Sequence, residues 1–103
     1  MQIFELTKGF PVEERYSLTD QMRRSSRSVC ICLTEGYRKK KHYPAYFASK
    51  VSDADMENAE TLGWLHFAVA CKYVRTDIFE QLKLQNEEIG RLLNHMPENP
   101  DKY

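Results

Sequence analysis

Apolar positions along this chain recur every three or four residues, and no stretch sustains a period of two. That spacing gathers apolar side chains on one side of a helix, so the pattern predicts helices and no strands. Prolines and glycines are sparse, and the long intervals between them favour long helices.

The opening segment, MQIFELTKGF, sets Ile3, Leu6 and Phe10 on one face. It predicts a helix over about residues 2–8, too short to stand alone in water. PVEERYSL reads as a connector. The second helix is expected over about residues 19–38, with Thr19 placed to cap it. Its stripe holds Leu18, Met22, Ser25, Ser26, Val29, Leu33 and Gly36. Ile31 points almost opposite, so VCICL is apolar nearly all round, which predicts burial on more than one side.

Pro44 suits the first turn of a third helix, expected over about residues 44–74 and roughly 45 Å long. Phe47, Val51, Ala54, Asn58, Leu62, Leu65 and Val69 form one stripe; Trp64, Phe67 and Cys71 form a second. A fourth helix is expected over about residues 77–96, capped by Asp77, with Ile78, Leu82, Ile89, Leu92, Leu93 and Met96 on its apolar face. PENPDKY, residues 97–103, reads as a polar tail. The expectation is one all-α domain, an antiparallel up-and-down four-helix bundle with a shortened first helix. Its predicted core is Val29, Leu33, Phe47, Leu62, Leu65, Ile78, Leu82, Ile89 and Leu93.

Charge changes the picture through its distribution. Fifteen basic and fifteen acidic residues balance, so the whole molecule has no field that recruits nucleic acid or anionic membrane. From Arg15 to Lys50, however, nine basic residues stand against two acidic ones, a net of +7. From Val51 to Tyr103 there are five against ten, a net of −5. A basic segment therefore faces an acidic one, within a subunit or between subunits.

Cys30, Cys32 and Cys71 include no CxxC pair and no even framework, so no disulfide scaffold is expected. All three read as small buried apolar residues. No window reaches about eighteen apolar residues and no leader pattern occurs. A soluble, cytoplasmic setting is the expectation. The acidic run DADMENAE lacks the Glu-x-x-His pairs of a di-iron bundle, and His42, His66 and His95 lie on separate segments. It reads as a solvated helix face, with no metal and no cofactor. P-loop, dinucleotide, nucleophile-elbow and HExxH patterns are all missing, so no enzymatic activity is expected.

One stretch invites a functional reading. LTEGYRKKKHY puts Arg38, Lys39, Lys40 and Lys41 in a row, flanked by Tyr37 and Tyr43. The plain reading is a helix end, where cations suit the dipole and a corner must be polar. The functional reading is a nucleic-acid surface, since cations beside aromatic rings neutralise phosphates and stack bases.

The stretch LTKGFPVEERYSLTDQMRRSSRSV resembles the four-helix-bundle family named after the 23S rRNA intervening-sequence protein. The likeness lies in Phe10-Pro11, Glu14-Arg15-Tyr16, Leu18-Thr19, Gln21 and Ser28, then the Glu35-Gly36-Tyr37 run. It continues in FASKVSDADMENAETLGWL through Phe47, Lys50, Asp55, Glu57, Glu60 and Trp64-Leu65. Two departures stand out. Cys32-Leu33-Thr34-Glu35-Gly36 replaces the family's usual Asn-Ile-Ala-Glu-Gly, and the family's first helix is usually longer.

The resemblance implies a small bundle that assembles into homo-oligomeric rings, typically pentamers, of unknown function. A related accessory protein of diversity-generating retroelements binds nucleic acid and a reverse transcriptase through a basic surface. The expected function is a non-enzymatic ring-forming bundle, binding RNA or DNA through Tyr37, Arg38, Lys39, Lys40 and Lys41. Ile31, Trp64 and Phe67, off the main stripes, are expected to form the oligomer interface. The alternative is a structural or protein-interaction oligomer without nucleic-acid affinity.

Overall fold

The structure is a computed structural model; residues 2–102 are described, and Met1 and Tyr103 lie outside them. The architecture is an all-α bundle. Helix α1 spans Gln2–Thr7, α2 Leu18–Lys39, α3 Pro44–Ala70 and α4 Thr76–His95. A short 3-10 turn at Val12–Glu14 lies between α1 and α2, and two more, Met96–Glu98 and Pro100–Lys102, follow α4. Helix α3 is central and packs against both α2 and α4. Among the described residues, no Cα of α2 comes within 8 Å of one of α4, and α1 lies along α2.

The core divides into two clusters. At one end Met22, Leu65, Ala68, Phe79 and Leu82 pack with Phe10, Leu18 and Val74. At the other, Phe47, Val51, Ala54, Leu93 and Met96 pack together, with Val29, Cys32 and Leu33 against them. A buried polar band also crosses the bundle. Ser25 and Thr61 share a hydrogen bond of 2.7 Å between their hydroxyls. The amides of Asn58 and Asn86 each donate to the other's backbone carbonyl at 2.9 Å. Every strong donor there is answered, which is what lets polar groups stay buried.

Several expectations are corrected. Helix α3 ends at Ala70, four residues early. The Lys72 N–H bonds the Val69 carbonyl and the Tyr73 N–H bonds the Ala68 carbonyl, with Lys72 at φ 64°. This is a Schellman stop whose left-handed residue is lysine, so no glycine marks it in the sequence. Thr19 does not cap α2: Ser17 precedes the helix, and the Thr19 hydroxyl is buried without a partner. Asp77 lies inside the first turn of α4 and pairs with Arg75, the residue that precedes the helix. Cys30 and Cys71 are exposed, and Cys32 is half-buried. Ile89, expected in the core, is 43 % exposed. Val29, Leu33, Leu62 and Ile78 are half-buried, while Phe47, Leu65, Leu82 and Leu93 are buried as expected.

The connectors are tied down by specific contacts. The Glu14 carboxylate accepts from the Ser17 hydroxyl at 2.6 Å and the Tyr73 hydroxyl at 3.1 Å. These donors hold its pKa below the ordinary carboxylate value. The tie is therefore intact above that ordinary range and lost as acid protonates Glu14. Phe10 packs on the Tyr73 ring at 5.6 Å, joining the α1–α2 connector to the end of α3.

Candidate nucleic-acid interface

The basic run sits where α2 ends and α3 begins. Arg38 and Lys39 finish α2, and the Lys40 N–H closes the last turn on the Tyr37 carbonyl at 3.3 Å. The Tyr43 N–H then bonds the Lys39 carbonyl at 2.8 Å, and Pro44 opens α3. The corner is tight because Gly36 faces α3: a Cβ there would lie 3.0 Å from Lys50 Cβ.

This geometry interleaves cations with rings. Lys39 Nζ stands 5.7 Å from the Tyr43 ring centre and 5.1 Å from that of Tyr46. Lys40 Nζ stands 5.3 Å from the Tyr37 ring centre and 5.1 Å from that of Phe47. Tyr37 in turn meets the Phe47 ring edge-on at 5.2 Å. Ring faces attract cations, so these lysines are held near the surface. Arg38, Lys39 and Lys41 are exposed, and Lys40 is half-buried against the rings. Among the described residues, none of these four cations is in an ion pair. The four do not form one uniform row: Lys39 and Lys40 turn to different sets of rings.

The chain's end folds back onto this corner. Met96 buries itself beside Phe47 and Val51 and carries the tail across. Tyr37, Lys40, Lys41, Pro44 and Phe47 then line a cleft of about 630 Å³, faced by Pro97 and Asp101. Tyr46, one turn beyond Tyr43, and the returning Asp101 were missed by sequence reasoning. Tyr46 follows Tyr43 at i+3, a helical neighbour spacing that could have shown it. Nothing local in PENPDKY signals that it folds back.

The residues expected at an oligomer interface lie apart. Ile31 is 59 % exposed on α2 and lines a groove toward α4. Trp64 and Phe67 lie on α3, with ring centres 5.8 Å apart. Phe67 is exposed, whereas Trp64 is half-buried and donates its Nε1–H to Glu60 at 3.0 Å.

Basic and acidic segments do meet within the chain. Arg24 donates to Glu57 at 2.9 Å and also to Glu60. Partial burial opposes its charge, but hydrogen bonds to the two glutamates outweigh that and raise its pKa. Lys50 lies 3.7 Å from Asp53 of the acidic segment, and 3.4 Å from Glu35 within its own. Among the described residues no cluster of three or more His, Cys, Asp or Glu side chains is placed to hold a metal. No helix among them is long and apolar enough to cross a membrane.

The sequence model of the family described as 23S rRNA-intervening sequence protein matches residues 1–95. No curated protein and no solved structure matches the chain. The Cys32 departure is accommodated: this thiol packs against the Phe47 cluster, burial raises its pKa, and Asn58 and Asn86 supply an amide pair in the polar band. With its match spanning nearly the whole chain, and with the helical bundle that the Phe-Pro and Glu-Gly-Tyr signatures imply, this protein belongs to the 23S rRNA-intervening sequence protein family.

Proposed function

We propose that this protein is a non-enzymatic, ring-forming bundle that binds RNA or DNA at the α2–α3 corner. The observation that carries the reading is the interleaving of Lys39 and Lys40 with Tyr37, Tyr43 and Tyr46, next to exposed Arg38 and Lys41. Cations that form no ion pair among the described residues are available to phosphates, and exposed tyrosines offer faces to bases. Four charges in one copy make a weak site. In a ring, such as the pentamer the family resemblance suggests, each copy repeats them at the same height, so many phosphates are contacted together. Recognition is then of backbone rather than base edges, with little sequence preference. The setting proposed is cytoplasmic.

The test compares wild type with a variant carrying Lys39→Ala, Lys40→Ala and Lys41→Ala, titrated with labelled single-stranded RNA at low and moderate salt. Wild type should bind at low salt, lose affinity steeply as salt rises, and bind far more tightly than the variant. Equal binding by the two proteins, or none by either at low salt, ends the reading.

The second reading is an oligomer that binds only protein, favoured by the exposed apolar side chains of Ile31 and Phe67. Sedimentation decides assembly separately. Wild type should run as a closed oligomer, and Phe67→Glu should shift it toward monomer if that face is the contact. A monomer at high micromolar concentration removes the ring from both readings.

A further inference from the structure

A second feature lies away from the basic corner. Because the α2 and α4 backbones stay more than 8 Å apart on either side of α3, a groove of about 470 Å³ opens between them above Asn58, Thr61 and Leu65. On α2 its wall includes Arg23, Ser26, Arg27 and Cys30, with Val29 and Ile31 beside them. On α4 it is made by Leu82, Gln85, Asn86 and Ile89. Both sets run i, i+3, i+4, i+7, so each wall is one helix face about 10 Å long, and the two form a trough.

The floor asks for no polar ligand. Asn58 and Asn86 satisfy each other, and Thr61 is bonded to Ser25. Ile3, Ile31 and the exposed Ile89 supply apolar surface instead, over the buried Leu65 and Leu82. The rim is different. Arg23 and Arg27 hold their guanidinium groups over the Phe4 ring at 4.5 and 5.5 Å, and among the described residues neither is in an ion pair. The opposite wall presents the uncharged Gln85. Phe4 of α1 also shows what this trough accepts: a helix laid along α2 with an aromatic ring beneath the arginines.

We propose that this trough seats an amphipathic helix of a partner protein, apolar on its buried face and acidic along the edge that lies against Arg23 and Arg27. The apolar floor and helical wall spacing suit the i, i+3, i+4, i+7 anchors of a docked helix, and the one-sided positive rim sets its charge and orientation. The seat is independent of the nucleic-acid reading, since it uses neither the α2–α3 corner nor its tyrosines.

The probe is a synthetic helix of about 15 residues, long enough to be helical when docked. It carries leucines at i, i+3, i+4 and i+7 and glutamates along one edge; a second peptide has lysines there instead. Each is titrated into isotope-labelled protein and followed by amide NMR. The glutamate peptide should shift resonances of the trough walls and bind about 10-fold or more tighter than the lysine peptide. Arg27→Glu should reverse that preference. Ile89→Glu should weaken binding about 10-fold or more, while Leu84→Glu, also exposed on α4 but outside the trough, should leave it unchanged. Both α4 sites are exposed, so circular dichroism should report intact helices. The proposal is overturned if no shifts appear at millimolar peptide, if they map elsewhere, or if both peptides bind alike. Shifts in the trough from dodecanoate alone would mark a small-amphiphile site and overturn it too.

Discussion

Toward α2, helix α3 presents Thr61, Glu57 and Glu60 against Ser25 and Arg24; toward α4 it presents Asn58 against Asn86 and His66 against Phe79. The first seam is closed by smallness. Ser25 is fully buried, and Gly36 lets α2 approach Phe47 and Lys50 at contact distance. The second seam adds an amide pair and one edge-on ring contact to the packing of Phe79, Leu82 and Leu93 on α3, and it leaves Ile89 beside open space. Small residues bring backbones together and close a seam along its length, as at α2. Directional hydrogen bonds join two helices at points, and the space between α2 and α4 is left for something else to fill.

The largest expected effect tests this contrast directly. Met22 on α2 is fully buried against α3, so Met22→Ala should cost about 2–5 kcal/mol in denaturant unfolding. Ile89→Ala, beside the trough, should change stability by no more than about 0.5 kcal/mol. Equal losses would mean that the trough is filled in solution and the contrast is false.

The amide pair comes next. Asn58→Ala leaves the Asn86 amide buried with its partner side chain gone, at a cost of about 1–3 kcal/mol, and Asn86→Ala should cost about the same. The double variant should lose little more than either single one, because the two side chains satisfy each other. Strict additivity would show that the two amides do not act as a unit.

Two helical glycines give opposite signs. Gly36→Ala sets a methyl 3.0 Å from Lys50 Cβ and 3.4 Å from Phe47, and the seam must give. The loss should be about 1–3 kcal/mol despite alanine's better helix propensity. Gly63 on α3 has nothing within 4 Å of the same methyl, so Gly63→Ala should gain up to about 1 kcal/mol. Thermal midpoints of the two variants, moving in opposite directions, would confirm that α2 approaches closely because Gly36 allows it.

Much of this was legible in the chain. The stripe through Leu18, Met22, Ser25 and Gly36 did mark the face of α2 that meets α3, and Phe47, Val51, Ala54 and Leu65 did mark α3. What failed were features that depend on partners rather than period. Ile89 has perfect helical spacing, yet spacing cannot say whether a neighbouring helix covers it. Lys72 stops α3 in a backbone conformation that lysine does not advertise. At the candidate site, RKKKHY with its flanking tyrosines was visible, but the placing of Tyr46 against Lys39 and of Asp101 across the cleft needed three dimensions.

The smallest expected effect separates the seams by their physics. Arg24 and Glu57 form an ion pair at 2.9 Å with the arginine side chain 44 % exposed, so water and salt reach it. Its coupling, read from a cycle of Arg24→Ala, Glu57→Ala and the double variant, should be about 0.2–1 kcal/mol at low salt. Glu60 is the poorer choice for that cycle, because it also accepts from Trp64 and its loss would strand the indole N–H. Raising salt to about 1 M shortens the screening length to about 3 Å, so most of the Arg24–Glu57 coupling should vanish. The Asn58–Asn86 coupling involves neutral, buried groups and should survive the same salt. If both couplings fade together, salt is acting on the bundle as a whole. If neither fades, the Arg24 pair is shielded from solvent more than its exposure indicates, and the α2 seam is then tighter still than the contrast with α4 requires.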